Sequence, residues 1–214
     1  MNKKNKNVQE KHTIYESTIF ILYLCIGFIP SFEAIDKIAP QWFFMGLLNI
    51  IAGVFIVKNS DIYKSGIISV FKSWATLFYI FFIFWGGISI FYAINPTEVL
   101  VNISRQFNVL FMYINMAVLL FSIKNVSKFF TWILTLILAI ETYSIFYQAI
   151  DMIYSQGEII SGNLKGVTAN RNIAAFSIAL KIPFVLFLIS ITSINKIKGF
   201  GIVIITFAIT AILM

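Results

Sequence analysis

Long apolar runs, separated by short polar segments, follow one another along almost the whole chain. A membrane-spanning helix needs about 20 predominantly apolar residues, with a workable range of roughly 17–25. The sequence therefore predicts an all-α protein, a polytopic transmembrane helix bundle of about seven spans. The predicted spans are 15–32, 40–57, 74–93, 105–122, 129–150, 172–190 and 200–214.

The same pattern divides the chain into a basic tail, residues 1–14, and a transmembrane helical domain, residues 15–214. No small-residue A-x-A cleavage pattern follows the first apolar run, so we expect an uncleaved span and not a signal peptide. The last run stops at Met214 within an apolar stretch. We therefore expect the domain to be incomplete at its C-terminus.

The distribution of lysine and arginine predicts the orientation, because cytoplasmic loops carry the excess of these residues. The tail and the loops 58–73, 123–128 and 191–199 together hold 11 of the 16 cations, and the opposite side holds four. Every alternate loop agrees with this assignment. The sequence thus predicts a cytoplasmic N-terminus.

Composition supports the membrane class. With 59% hydrophobic and 12% charged residues, the chain differs from a soluble domain, in which about 25% of residues are charged. Topology accounts for most of the net charge of +7, so no nucleic-acid partner is expected. The single cysteine, Cys25, excludes a disulfide within the chain and a cysteine metal cluster. No metal site is predicted.

Two charged residues are predicted at membrane depth, where each costs about 2.5–3.5 kcal/mol on insertion scales and usually has a partner. Glu141 in the fifth span and Lys181 in the sixth are each ten residues from the end that borders the outer loop. Both therefore lie about 15 Å deep. We expect a structural Glu141–Lys181 ion pair, with a proton or ion relay as the alternative.

Polar residues also recur at helical spacing along three consecutive spans. Together they favour a shared polar cavity, with ordinary interhelical hydrogen bonds as the alternative for any single side chain. The three stripes are Arg105, Asn108, Asn115 and Ser122; Glu141, Ser144, Gln148 and Asp151; and Asn170, Ser177 and Lys181.

An anion site is predicted on the outer side, where the fourth and sixth spans begin. Helix N-termini present free N–H groups and a positive dipole end, and Arg105 and Arg171 are placed at these two starts. A guanidinium binds phosphate oxygens bidentately, and Lys165 and Gly166 would add a point charge and a flexible backbone. The alternative is snorkelling of arginine to lipid headgroups.

Two segments carry a resemblance to a known family. Residues 166–175 read GVTANRNIAA and open an apolar span, and residues 85–96 read WGGISIFYAINP. They resemble segments of the O-antigen ligase and O-antigen polymerase family of membrane glycosyltransferases. In that family a glycine, a polar turn and an Asn-Pro-Asn-like triplet precede small residues. Arg171 stands where the family often has proline.

The resemblance implies a multi-pass glycosyltransferase of the bacterial cytoplasmic membrane. It would take a glycan from an undecaprenyl-diphosphate donor at the outer face and transfer it to a glycan or lipid acceptor, without a cofactor. The lipid diphosphate would be the predicted anion. The residues expected to bind this donor are Arg105, Lys165, Gly166, Asn170, Arg171 and Asn172.

The family's catalytic histidine and arginines lie in a large late periplasmic loop. By this resemblance the catalytic residues would lie beyond Met214, and the chain would be an N-terminal portion that is inactive alone. Ligation and polymerisation are not distinguished. Two other classes stay open: a transporter or permease subunit that uses Glu141 and Lys181, and a non-catalytic structural membrane subunit.

Overall fold

The computed structural model describes residues 3–30, 32–36, 38–123, 125–168 and 170–214, with side chains from Ile14 onward. Over these residues the chain is all-α, and the expected polytopic helix bundle is confirmed. The helices are α1 (Lys3–Cys25), α2 (Ala39–Lys58), α3 (Ser60–Phe71), α4 (Trp74–Ile88), α5 (Pro96–Leu120), α6 (Val126–Gln156), α7 (Arg171–Ile191) and α8 (Asn195–Leu213).

Six helical segments in the described chain are long and apolar enough to cross a membrane, so the protein is a multi-pass membrane protein. They are α2, α4 with its following turn, and α5 to α8. The first predicted span corresponds to a shorter apolar segment, Ile14–Phe28. Its helix starts already at Lys3 and gives way to a 3-10 turn after Cys25. The residue before Pro30 is extended, as proline requires.

The chain divides into two compact units, unit 1 (Met1–Lys124) and unit 2 (Asn125–Met214). In unit 1, α1, α2, α3 and α4 all pack against α5. Helix α5 begins with Pro96 at its first position. Asn95 is its N-cap, and the Asn95 Oδ1 accepts from the Glu98 N–H at 3.3 Å. The core of unit 1 contains Ile19, Tyr23, Leu48, Ala52, Ile56, Tyr63, Val70, Val118 and Leu119.

Helix α3 occupies a segment that was predicted only as a loop. Its buried face consists of Tyr63, Gly66 and Val70, which follow the three- and four-residue spacing of a helix. A Cβ on Gly66 would lie 3.4 Å from Phe121 Cβ, so α3 packs closely against the residues that end α5. The hydroxyl of Ser73 then caps α4.

In unit 2, α6, α7 and α8 pack against one another in pairs. Helix α6 ends at Gly157, whose φ of +77° is the left-handed conformation that commonly ends helices. Helices α7 and α8 approach closely at Gly201, where a Cβ would lie 2.8 Å from Ile189 Cγ1. The core contains Leu138, Ile145, Ala149, Met152, Leu164, Ala174, Ile178, Val185, Ile204, Ala208 and Ala211.

Candidate functional site

The loop between α6 and α7 is held to α6 by one side chain, Gln148. Its Oε1 accepts hydrogen bonds from the backbone N–H groups of Lys165 (3.1 Å) and Gly166 (2.9 Å), and its Nε2 donates to the Gly166 carbonyl (2.8 Å). One amide therefore satisfies three backbone groups of the turn. The Lys165 side chain remains exposed.

Gly166 occupies a position that only glycine fits easily. Its φ is +56°, in the left-handed region, and a Cβ would lie 3.1 Å from Cγ1 of Ile145. Both the left-handed backbone conformation and the lack of room for a Cβ favour glycine here. The flexible backbone expected here is instead a turn fixed by Gln148.

Helix α7 begins five residues later with Asn170 as its N-cap. The Asn170 Oδ1 accepts from the Asn172 N–H at 2.8 Å, which satisfies one of the free donors of the first turn. Arg171 is the first helical residue and is half-buried, and its Nη1 donates to Ser161 Oγ at 3.2 Å. Asn172 is exposed.

Five of the six predicted donor-binding residues thus belong to one braced turn and the helix start that follows it. The N-terminus of α7 offers a positive dipole end and unpaired N–H groups. No acidic residue lies in its first turn. With Arg171 and the exposed Lys165 nearby in sequence, this segment has the chemistry of an anion site.

Arg105 is placed differently from the prediction. Helix α5 begins at Pro96, so Arg105 lies about 13 Å further along the helix and not in its first turn. Its Nη2 is 2.8 Å from Asp36 Oδ2, and its guanidinium carbon is 5.7 Å from the centroid of the Trp42 ring. The helix-dipole argument for this arginine is therefore wrong, and a carboxylate already neutralises it.

The two intramembrane charges lie together in unit 2. Lys181 Nζ is 2.9 Å from Glu141 Oε2 and 3.0 Å from Oε1, and it also donates to the Ser177 carbonyl at 3.1 Å. The Ser177 hydroxyl lies 3.1 Å from Glu141 Oε1. Glu141 is buried and Lys181 is half-buried. Every charged hydrogen-bonding group of the pair has a partner, as a buried ion pair needs for stability.

The asparagines of the fourth predicted span serve a different network, inside unit 1. Asn115 Nδ2 donates to the Tyr23 hydroxyl (3.0 Å) and to the Asn49 carbonyl (3.2 Å), and that hydroxyl donates to Asn49 Oδ1 (2.7 Å). Asn49 Nδ2 donates to Asn108 Oδ1 at 2.5 Å. These bonds join α1, α2 and α5, so the asparagines act as interhelical hydrogen-bonding groups.

The polar stripes do not line the cavities described in either unit. In unit 2, an apolar cavity of about 240 Å³ is lined by Ala139, Thr142, Tyr143, Phe146, Ile204 and Phe207. In unit 1, a groove of about 570 Å³ between α4 and α5 is lined almost entirely by isoleucine, leucine and phenylalanine. The described residues also hold no group of three or more His, Cys, Asp or Glu side chains that could bind a metal ion.

A buried acid in α1 was not predicted from the sequence. Glu16 is 1% exposed, and its Oε1 accepts a hydrogen bond of 2.5 Å from the Tyr63 hydroxyl of α3. Burial, followed by this hydrogen bond and the negative charge of Glu16, raises the pKa of Tyr63, which keeps the phenol a donor. The available signal was an acidic residue at the start of the first apolar run.

Comparisons with protein-family models, curated proteins and solved structures found no match to this chain.

Proposed function

We propose that this chain is a membrane-spanning region that acts in glycan transfer like O-antigen ligases and polymerases, located in the bacterial cytoplasmic membrane. It binds the diphosphate of a polyprenyl-diphosphate glycan donor at the outer face. The bond between glycan and diphosphate breaks, the glycan forms a new bond to a hydroxyl of a glycan or lipid acceptor, and polyprenyl diphosphate is the leaving group. The observation that carries the proposal is the turn at Gly166 that Gln148 braces, five residues before α7 begins at Arg171.

The arrangement of this segment favours binding of a diphosphate over simple snorkelling of Arg171 to a lipid headgroup. A snorkelling arginine needs only a long side chain at a helix end. Here the side-chain amide of Gln148 fixes the turn, and the turn conformation requires Gly166. Asn170 caps the helix that follows. Such preorganisation favours binding of a defined anion, because little ordering is required when the ligand arrives.

Arg171 is the decisive residue for a test. Undecaprenyl diphosphate and the neutral alcohol undecaprenol are titrated separately against the purified chain in lipid nanodiscs. The diphosphate should bind and the alcohol should not. Arg171→Ala should weaken diphosphate binding roughly 10- to 100-fold, since a hydrogen bond to a charged group contributes about 1.5–3 kcal/mol.

Lys196→Ala is the matched control, because it removes an exposed cation near the start of another helix, α8, and should leave binding unchanged. Equal affinity for the alcohol and the diphosphate, or full diphosphate binding by Arg171→Ala, would contradict the proposal. The second result would favour the structural-subunit alternative, in which the arginine is dispensable.

A transporter subunit is the other class that the sequence left open. Its support was the charged pair and the polar stripes. In unit 2 Glu141, Ser177 and Lys181 bond to one another, and Gln148 bonds to the loop backbone. Because these groups are occupied within the protein, they favour a structural role, and the transferase remains our proposal.

A further inference from the structure

We propose that α3 is an interfacial helix that lies along the membrane surface and binds anionic lipid headgroups through Lys58, Lys64 and Lys72. The inference does not depend on the proposed glycosyltransferase function. It assigns an interaction surface and a partner to a segment whose sequence predicted only a connecting loop.

The position of α3 in the chain places it at a membrane boundary. Helix α2 ends at Lys58 and α4 begins at Trp74. Helix α2, and α4 together with its following turn, are each long enough to span. The short helix between them is therefore at the level where the chain leaves and re-enters the lipid. Trp74 is largely exposed, and tryptophan at the end of a spanning helix favours the membrane–water interface.

One face of α3 is fixed to the protein. Tyr63, Gly66 and Val70 are buried there, with Tyr63 bonded to Glu16 of α1 and Gly66 packed on Phe121. These contacts hold α3 in one rotation about its axis. The orientation of its remaining residues is therefore defined.

The rest of the helix is divided into an apolar and a polar side. Ile67, Ile68 and Phe71 extend the apolar surface from one edge of the buried face. Ile68 and Phe71 are 45% and 48% exposed. Ser65 and Ser69 are exposed on the side of the helix opposite Ile67 and Phe71. Asp61 lies between Ile68 and Ser65, and the exposed Ile62 lies next to Ser69. A helix of this kind lies in the plane of the interface with its apolar side in the acyl region.

Charge selects the lipid. Lys58, Lys64 and Lys72 are all exposed, and Asp61 is the one acidic residue in the segment from 58 to 73. Lysine next to an apolar surface can bury its methylene stem and keep its ammonium group at headgroup level. Each lysine near an anionic surface contributes about fivefold to the preference for that surface. An acidic headgroup layer is the partner that fits both features.

Collision accessibility of spin labels tests the geometry. In a Cys25→Ser background, Phe71→Cys and Ser69→Cys, which lie on opposite sides of α3, are labelled singly in the full chain. They are reconstituted into phosphatidylcholine vesicles, or into equal parts phosphatidylcholine and phosphatidylglycerol. The label at 71 should collide more with lipid-soluble oxygen, and the label at 69 more with an aqueous nickel complex. Anionic lipid should increase this contrast.

The pair Lys64→Gln and Lys72→Gln should remove most of the increase caused by anionic lipid, because roughly 25-fold of preference is lost and only Lys58 remains. Lys196→Gln with Lys198→Gln, which removes the same charge near the start of α8, should preserve it. Nickel access at both labels would overturn the proposal by placing α3 in water. Shielding from both reagents would indicate a protein partner instead. If the two labels differed equally in both lipid compositions, the proposed specificity for anionic lipid would be wrong.

Discussion

The two units bury polar groups in different ways. In unit 1 the network that joins α1, α2 and α5 is neutral, with Asn49 and Asn115 bonded to the Tyr23 hydroxyl. The buried acid of this unit, Glu16, bonds separately to Tyr63. Unit 2 uses a full ion pair between Glu141 on α6 and Lys181 on α7. Both networks satisfy their own hydrogen bonds, as a lipid environment demands. The networks differ in the group that loses its partner when one member is removed. In unit 1 that group is a neutral amide, and in unit 2 it is a charged side chain.

The largest expected effect follows from leaving that charge alone. Lys181→Met should lower the free energy of unfolding by about 3–5 kcal/mol, because Glu141 then has no cation at membrane depth. Denaturation of the chain in lipid–detergent micelles measures this change. Adding Glu141→Gln should restore most of the loss, since both charges are then absent.

Lys196→Met is the control for the ion pair, because it removes an exposed lysine. If Lys181→Met were no more destabilising than this control, the pair would not stabilise unit 2. If the double variant were as unstable as the single one, the loss would come from packing and not from an unpaired charge.

A packing change in unit 2 separates the contribution of helix contact from that of charge. Gly201→Ala places a Cβ 2.8 Å from Ile189 Cγ1 and should cost about 1–3 kcal/mol, the usual range for an overpacked core. Neither residue bonds to the Glu141–Lys181 pair. The effect should therefore add to that of Lys181→Met in a double variant.

Gly199→Ala provides the matched control for Gly201, since it lies in the same helix with open space around its Cβ position. Alanine there should be neutral or stabilising by up to about 1 kcal/mol, because alanine favours helix more than glycine does. Equal effects of the two alanines would show that α7 and α8 do not need the close approach.

The smallest effect is expected in the neutral network of unit 1. Asn49→Leu removes the side-chain hydrogen bonds to Tyr23 and Asn108 but keeps the backbone carbonyl that accepts from Asn115. It leaves no charge unpaired, so we expect a loss of about 1–2 kcal/mol. The exposed Asn102, changed to leucine, is the control. A loss as large as that of Lys181→Met would mean that a neutral network is as essential as the ion pair.

Helix boundaries were predictable where apolar runs end at polar residues. The span 172–190 corresponds to α7, Arg171–Ile191. The prediction failed at Arg105 because Asn95 and Pro96 start α5 well before its strongly apolar part. It failed at α3 because a short helix with exposed apolar residues on one side has too little hydropathy contrast to stand out from a loop.

The sequence by itself determined the membrane class, the positions of most spans, and the two charges whose cost at depth demands a partner. Apart from the expected pair Glu141–Lys181, only the tertiary structure decided which groups meet. It brought Glu16 to Tyr63, 47 residues away, paired Arg105 with Asp36 and joined Gln148 to the turn at Gly166. The reason is physical: hydropathy follows from each residue's own transfer to lipid, whereas a contact depends on the rotation and register of two helices that local periodicity does not specify.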